Sequence, residues 1–415
     1  MQRPESPDPV CLPQELINTI IDLHCDDRIH LCQCALVAKS WTRPCQQYLF
    51  KHIHINFHRR KTERSQKRLD LFMKILIRRP YLPASIHRLT LAPYSECAEN
   101  SMDNALIETL AIVLNKLHSV KFLNLRIGPW HDLSAGLKLL ILASVAMPSL
   151  ERLSIDQAII TAKELRLILL NGLGNIATLN LAQGLDLSTL TPSFQFGELE
   201  PLTYSNFFDT LKISSHPLLQ FMNDWIGDSK LAKVPLKHLN LDFPNLSSLT
   251  EVDMQSLIRL SSGTLVKLGV RAPHLSRTPL SISALKLSLH RLREIHIKKL
   301  QLSTDPNGML WMISLFSAAM FPLLQIIKLD LEYHRSRVIH DDFDGHGIST
   351  LSWDRWRAFD DLLSQPKYEN LKRICILLTI VAPTAAYLEE LEEILPQHLR
   401  WNMPALREKV VVSTY

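Results

Sequence analysis

Glycine is scarce in this chain, at 12 of 415 residues, and no Walker-type glycine loop occurs, so a nucleotide cradled by backbone N–H groups is not expected. The G-x-S-x-G elbow and the H-E-x-x-H zinc signature are missing too, which removes two common hydrolase frames. No apolar run is long enough for a membrane span: the longest, around Leu137 to Met147, is about half of what is needed. The opening MQRPESPDPV has no apolar core and does not read as a secretory signal. An excess of one charge is absent as well, since 46 Lys and Arg face 41 Asp and Glu. A net charge of +5 spread along the chain does not indicate nucleic-acid binding. These absences predict a soluble, non-enzymatic protein of the cytoplasm or nucleus, with no cofactor, metal, nucleic acid or membrane as partner.

Cysteines are few and odd in number: seven, of which Cys11, Cys25, Cys32, Cys34 and Cys45 crowd near the N-terminus. Without a secretory signal they read as reduced, mostly buried thiols rather than disulfides, and for the same reason the sequon Asn245-Leu246-Ser247 carries no meaning. What the chain does have is apolar residue, 46% of the total, enough for a large core or an extended repeat array.

The stretch Leu12 to Phe50 predicts three short helices. Leu12-Pro13 opens the first, because proline is tolerated in a first turn. Leu16, Ile17, Ile20 and Ile21 make one apolar stripe at helical spacing. Asp26-Asp27 can cap a second helix, in which Leu31, Cys34, Ala35 and Ala38 repeat the pattern. A third carries Trp41, Tyr48, Leu49 and Phe50, with Pro44 in its first turn. A unit this small displays more large apolar side chains than one small core absorbs, so another protein is expected to cover some of them.

The order Leu12-Pro13, Glu15, Ile20-Ile21, Leu31, Cys34, Leu36-Val37, Trp41, Leu49-Phe50 resembles an F-box. The resemblance implies docking on the small Skp adaptor, and through it on a cullin and its RING subunit. Leu12, Pro13, Ile20, Leu36, Val37, Trp41, Leu49 and Phe50 are the residues it singles out for Skp contact or its support. A three-helix cap on a larger domain is the competing reading.

Residues 1–10 read as a disordered lead-in. After Phe50, Ile53, Ile55 and Phe57 alternate with His52, His54 and His58, which predicts a half-buried strand with its histidines on the wet face. A metal on those histidines lacks a fourth ligand nearby. The run Arg59-Arg60-Lys61 reads as a solvated linker, and Leu69, Phe72, Met73, Leu76 and Ile77 mark a joining helix that ends before Pro80.

From Ile86 an L-x-x-L-x-L frame recurs ten times, beginning at Ile86, Val120, Leu150, Ile176, Phe208, Leu236, Leu265, Leu292, Leu324 and Leu371. Most steps are about 26 to 34 residues, within or just above the period of leucine-rich repeats. Such a frame turns its first, fourth and sixth side chains into one core while neighbouring strands stack in parallel. Helices fit between frames, at Ala105 to Leu117, Lys163 to Leu170, Met254 to Leu260, Leu310 to Met320 and Trp353 to Leu363. The asparagine or cysteine that leucine-rich repeats usually carry three places after the frame is mostly absent, so the resemblance is to a degenerate array. Gln183 to Asn206 reads as a loop leaving the array, and Arg335 to Leu351 as an insertion whose DDFDGHG does not complete a calcium loop. A glutamate-rich helix from Ala385 to Leu399 and a strand from Val410 read as the closing unit.

The frame also names the outward residues. Between the last two apolar positions lie Thr90, Asn124, Ser154, Asn180, Lys212, Asn240, Gly269, His296, Lys328 and Cys375. Just beyond lie Ala92, Arg126, Asp156, Ala182, Ser214, Asp242, Arg271, Lys298, Asp330 and Leu377. Parallel rows of mixed polar groups suit a protein-binding face. Asn124, Arg126, Asp156, Asn180, Lys212, Asn240, Asp242, Arg271, His296 and Lys298 are the candidates for holding a target.

The expected fold is therefore α/β: an N-terminal three-helix F-box at 11–57, a linker helix at 58–84, and an irregular leucine-rich-repeat-like αβ solenoid at 85–415. The expected function is substrate recognition for a Skp/cullin/F-box ubiquitin ligase, the repeats binding a target protein. A repeat scaffold without a ligase role, and a nucleic-acid binder using the basic region His52 to Arg79, are the alternatives.

Overall fold

The first, fourth and sixth residues of all ten frames are at most 4% exposed, from Ile86, Leu89 and Leu91 to Leu371, Ile374 and Ile376. The computed structural model describes residues 12–57, 62–93, 104–172, 174–182, 185, 187, 208–228, 234–243, 248–271, 288–302, 307–334, 353–381 and 385–414. Among them are thirteen α-helices and twelve strands, and each strand pairs in parallel with its neighbour in the sequence within two compact units. The lead-in 1–10, the run 59–61, the sequon 245–247 and the insertion 335–351 lie outside the described residues. So does the segment 183–206 apart from Leu185 and Leu187, which are buried and so belong to the core rather than to a departing loop.

The first unit holds Met1–Ile159 and Arg166–Asn175. It runs α1 (Gln14–Leu23), α2 (Arg28–Val37), α3 (Lys39–Leu49), β1 (His52–Phe57), α4 (Thr62–Arg78), α5 (Leu82–Ser85), β2 (Arg88–Pro93), α6 (Asn104–Lys116), β3 (Phe122–Pro129), α7 (Ala135–Val145) and β4 (Arg152–Ile159). Ile53, Leu89, Leu123 and Leu153 stand in one register row, the last three fully shielded. Phe50 stacks on Phe72 at 6.5 Å, Tyr81 donates its hydroxyl to Gln46, and Arg43 lies over the Tyr81 ring. These contacts fasten α3 to α4 and to the turn before α5.

The second unit holds Ile160–Leu165 and Ile176–Tyr415, the division falling within α8 (Ala162–Gly172). It continues with β5 (Thr178–Leu181), β6 (Thr210–Ile213), α9 (His216–Asp228), β7 (His238–Leu241), α10 (Ser248–Leu260), β8 (Lys267–Arg271), β9 (Glu294–Leu302) and α11 (Asn307–Ala318). β10 (Ile326–His334), α12 (Trp353–Leu363), β11 (Arg373–Val381), α13 (Ala385–Trp401) and β12 (Val410–Thr414) complete it. Leu179, Leu211, Leu239, Leu268, Ile295, Ile327 and Ile374 form one continuous row. A one-residue slip anywhere would turn that row to solvent, which is how the apolar pattern selects the register.

Backbone groups at the entry turn of each strand are satisfied without the missing asparagine. The carbonyl of the second frame residue accepts N–H bonds from the second and third residues of the next frame. His87 thus serves Lys121 and Phe122; Ala177 serves Asp209 and Thr210; Asp209 serves Lys237 and His238; the pattern persists to Gln325, which serves Lys372 and Arg373. From β1 to β4, and again from β5 to β11, each turn therefore hands one acceptor to its successor, as buried backbone groups require.

The closing unit is held by a buried carboxylate. Asp360 of α12, 1% exposed, accepts from the backbone N–H groups of Ala405 at 2.9 Å and Leu406 at 3.1 Å. Asp360→Ala should orphan both donors and lower stability by about 2 kcal/mol or more, read as a shifted urea midpoint. Leu239→Ala, in the middle of the apolar row, should cost about 3 kcal/mol by the same measurement.

Candidate functional site

The three N-terminal helices share a small core of Ile17, Ile21, Leu31 and Cys45, with Cys34, Ala35, Trp41, Tyr48 and Leu49 packed against it. Asp27 caps α2 by accepting from the N–H groups of Ile29 and His30, as its position before the helix dictates. The Tyr48 hydroxyl donates to Asp22, joining α3 to α1. That hydrogen bond, followed by burial, pushes the Tyr48 phenol up to about 12.

Six large apolar side chains of this unit remain outside its core. Leu12 is 47% exposed, Leu16 51%, Leu23 79%, Ile29 73%, Leu36 87% and Val37 67%. Of the eight residues singled out from the sequence, Leu12, Pro13, Leu36 and Val37 are exposed, and Ile20 is half-buried. Trp41 and Leu49 support the core, and Phe50 is taken by Phe72.

Several expectations need correction. Leu16 leaves the inward stripe: Ile17 and Ile21 face the core, while Leu16 is 51% exposed, and Leu12, ahead of the Pro13 cap of α1, is exposed as well. Ala38 is exposed and extended, because it is the cap residue from which α3 starts. That early start puts Pro44 in the second turn of α3 and not the first. Of the five described cysteines only Cys45 is buried; Cys25 and Cys32 are exposed, because Cys25 sits in the α1–α2 turn and Cys32 on the outer side of α2. Leu23 and Ile29 lie off the stripes of α1 and α2, so periodicity could not find them.

The outward face of the first unit carries Asn124 and, paired across β3 and β4, Arg126 and Asp156 at 3.5 Å. Thr90, Ala92 and Ser154, expected on the wet side, are about 5% exposed. All three are small, and the His52 ring reaches the Thr90 hydroxyl at 3.4 Å.

The second unit places Asn180, Lys212, Asn240, Gly269, His296, Lys328 and Cys375 in one row, in register. Ion pairs lace this face. Arg271 donates to Asp242 at 3.2 Å, His296 and Asp330 meet at 2.8 Å, and Glu294 receives both Lys328 at 2.8 Å and Lys267 at 3.1 Å. Burial works against ionisation of Glu294, but the two lysines together outweigh it and hold its carboxyl below the usual range. Gly269 lies close under Asn240: a Cβ there would stand 2.7 Å from the Asn240 amide oxygen, so the Asn240 side chain would have to shift.

A β-bulge between β9 and β10 adds a cation to the face. Ile297 pairs with Leu329 and Leu300 with Leu331, leaving Lys299 in the left-handed region at φ 54°. Lys298 stands directly opposite Arg271, a like-charge neighbour. Lys212 and Lys298 have no ion-pair partner among the described residues. Among the described residues no three of His, Cys, Asp and Glu gather to hold a metal, and no helix is long and apolar enough to cross a membrane.

His238, beside Thr210 at 3.1 Å, is held below its ordinary value of 6.5 by burial and then by the charge of Lys267. A lowered imidazole value means that the unfolded chain binds the proton more readily, so stability is complete above pH 6.5 and falls as pH drops below it. The urea midpoint should decline between pH 7 and pH 5.5, and His238→Gln should flatten that decline. No family model matches this chain, and no curated protein matches it.

Proposed function

We propose that this chain is a substrate-recognition adaptor of a Skp/cullin/F-box ubiquitin ligase, its three N-terminal helices forming the F-box and its strand–helix repeats an irregular leucine-rich-repeat-like solenoid that binds a target protein. The observation that carries the reading is the contrast in burial. The first, fourth and sixth frame positions are buried, and the exposed large apolar residues beyond the helical unit are scattered singly along the chain, whereas six crowd into residues 12–37 of that unit. Exposed apolar side chains in such density mark a surface built to be covered. Helices that present them suit a helix-in-groove contact, in which a few anchors dominate the affinity.

The mechanism is proximity rather than chemistry. The F-box holds the ligase, the repeats hold the target, and lysines of the target meet charged ubiquitin at high effective concentration.

Co-expression with the Skp adaptor followed by size-exclusion chromatography tests this. The wild-type chain should form a stoichiometric complex. Leu12→Asp with Pro13→Ala, and separately Leu36→Asp with Val37→Asp, should each weaken it by about 2 kcal/mol or more. Both pairs are exposed, so the melting temperature should be unchanged. A soluble wild-type chain that ignores Skp would leave a repeat scaffold without a ligase role.

A further inference from the structure

A cleft of about 490 Å³ in the first unit is lined by five consecutive residues of β1, from His52 to Asn56. Successive strand side chains point to opposite faces. One cleft that touches five in a row therefore runs along the edge of the strand, not over a single face. Among the described residues β1 is the terminal strand and pairs with β2 alone.

The direction of its backbone groups follows from one hydrogen bond. Lys51 C=O accepts the Arg88 N–H at 3.0 Å, so it points toward β2. In a parallel ladder every second residue turns both its groups to the same side. Ile53 and Ile55 consequently face β2, while His52, His54 and Asn56 hold N–H and C=O toward the cleft. Uncovered strand edges are normally blunted, because they template pairing with another chain.

The walls say what kind of chain would fit. Leu69, 4% exposed, and Phe72 come from α4 and make an apolar side. Arg28 and Arg68 supply two cations, and no carboxylate is among the described residues that line the cleft. We infer that this cleft binds an extended, carboxylate-rich segment of another protein, which adds a strand to the free edge of β1 and sets acidic side chains against Arg28 and Arg68. The main-chain ladder provides affinity and the two walls provide selectivity, with alternate residues meeting the apolar and the cationic side. The proposal is independent of the ligase role, and no arm of its test uses the Skp adaptor.

The test is fluorescence anisotropy of the full chain with a labelled hexapeptide alternating glutamate and valine. Saturable binding is expected. It should weaken at least tenfold for a fully N-methylated version, which cannot form the ladder, and for the counterpart with lysine in place of glutamate. Arg28→Glu with Arg68→Glu should weaken it tenfold as well; both side chains are exposed and a glutamate suits the first turn of α2, so the fold is kept. His54→Pro removes one outward N–H from an edge position that tolerates proline, and should have a similar effect. Equal binding of the N-methylated or the lysine peptide would overturn the proposal. So would a lack of saturable binding, full displacement by millimolar inorganic phosphate, or tighter binding of a short single-stranded oligonucleotide.

Discussion

One carbonyl per repeat, at the second frame position, does more than any side chain to order this molecule. By accepting two N–H groups from the next frame, Lys51, His87 and Lys121 in the first unit and the run from Ala177 to Gln325 in the second fix each strand beside its predecessor. Three apolar residues per frame then have one place to go. No single repeat buries them alone, and neighbours supply the missing half of the core. The array can dispense with the usual turn asparagine because the backbone already satisfies itself at the entry side.

The helical unit obeys the opposite logic. Four buried residues make its core, and its outer side keeps leucine, isoleucine and valine in water. Leaving such groups exposed forgoes roughly 25 cal/mol for each Å² that burial would remove from solvent. That surface gains most when another protein covers it. The β1 edge adds a polar counterpart, since its free backbone groups also lack partners within the sheet.

On the outward face the charges are placed by register. Glu294 sits between Lys267 and Lys328 because parallel pairing brings positions from three strands side by side, and the β9 bulge sets Lys298 and Lys299 outward in succession. Surface pairs of this kind contribute little stability each. Their arrangement bears on what the face accepts more than on how firmly it folds.

Much of this was legible in the residues. The ten frames became strands at their third position, Asp27 became a cap, and the expected helices formed, because period and capping chemistry are local properties. α7 was visible only as an apolar run, since a helix apolar on most sides lacks a clear stripe; α9 went unread although Leu218, Phe221, Met222 and Trp225 repeat at helical spacing and are all buried. Leu16, Leu23 and Ile29 on the outside, Thr90 and Ser154 on the inside, and the free edge of β1 were not legible. The sequence by itself determined which side chains alternate and where each strand begins, because those follow from spacing along one chain. Only the tertiary structure decided which apolar residues the small helical core could not hold and which backbone edge stayed unpaired, because both depend on how many neighbours pack around a residue in space.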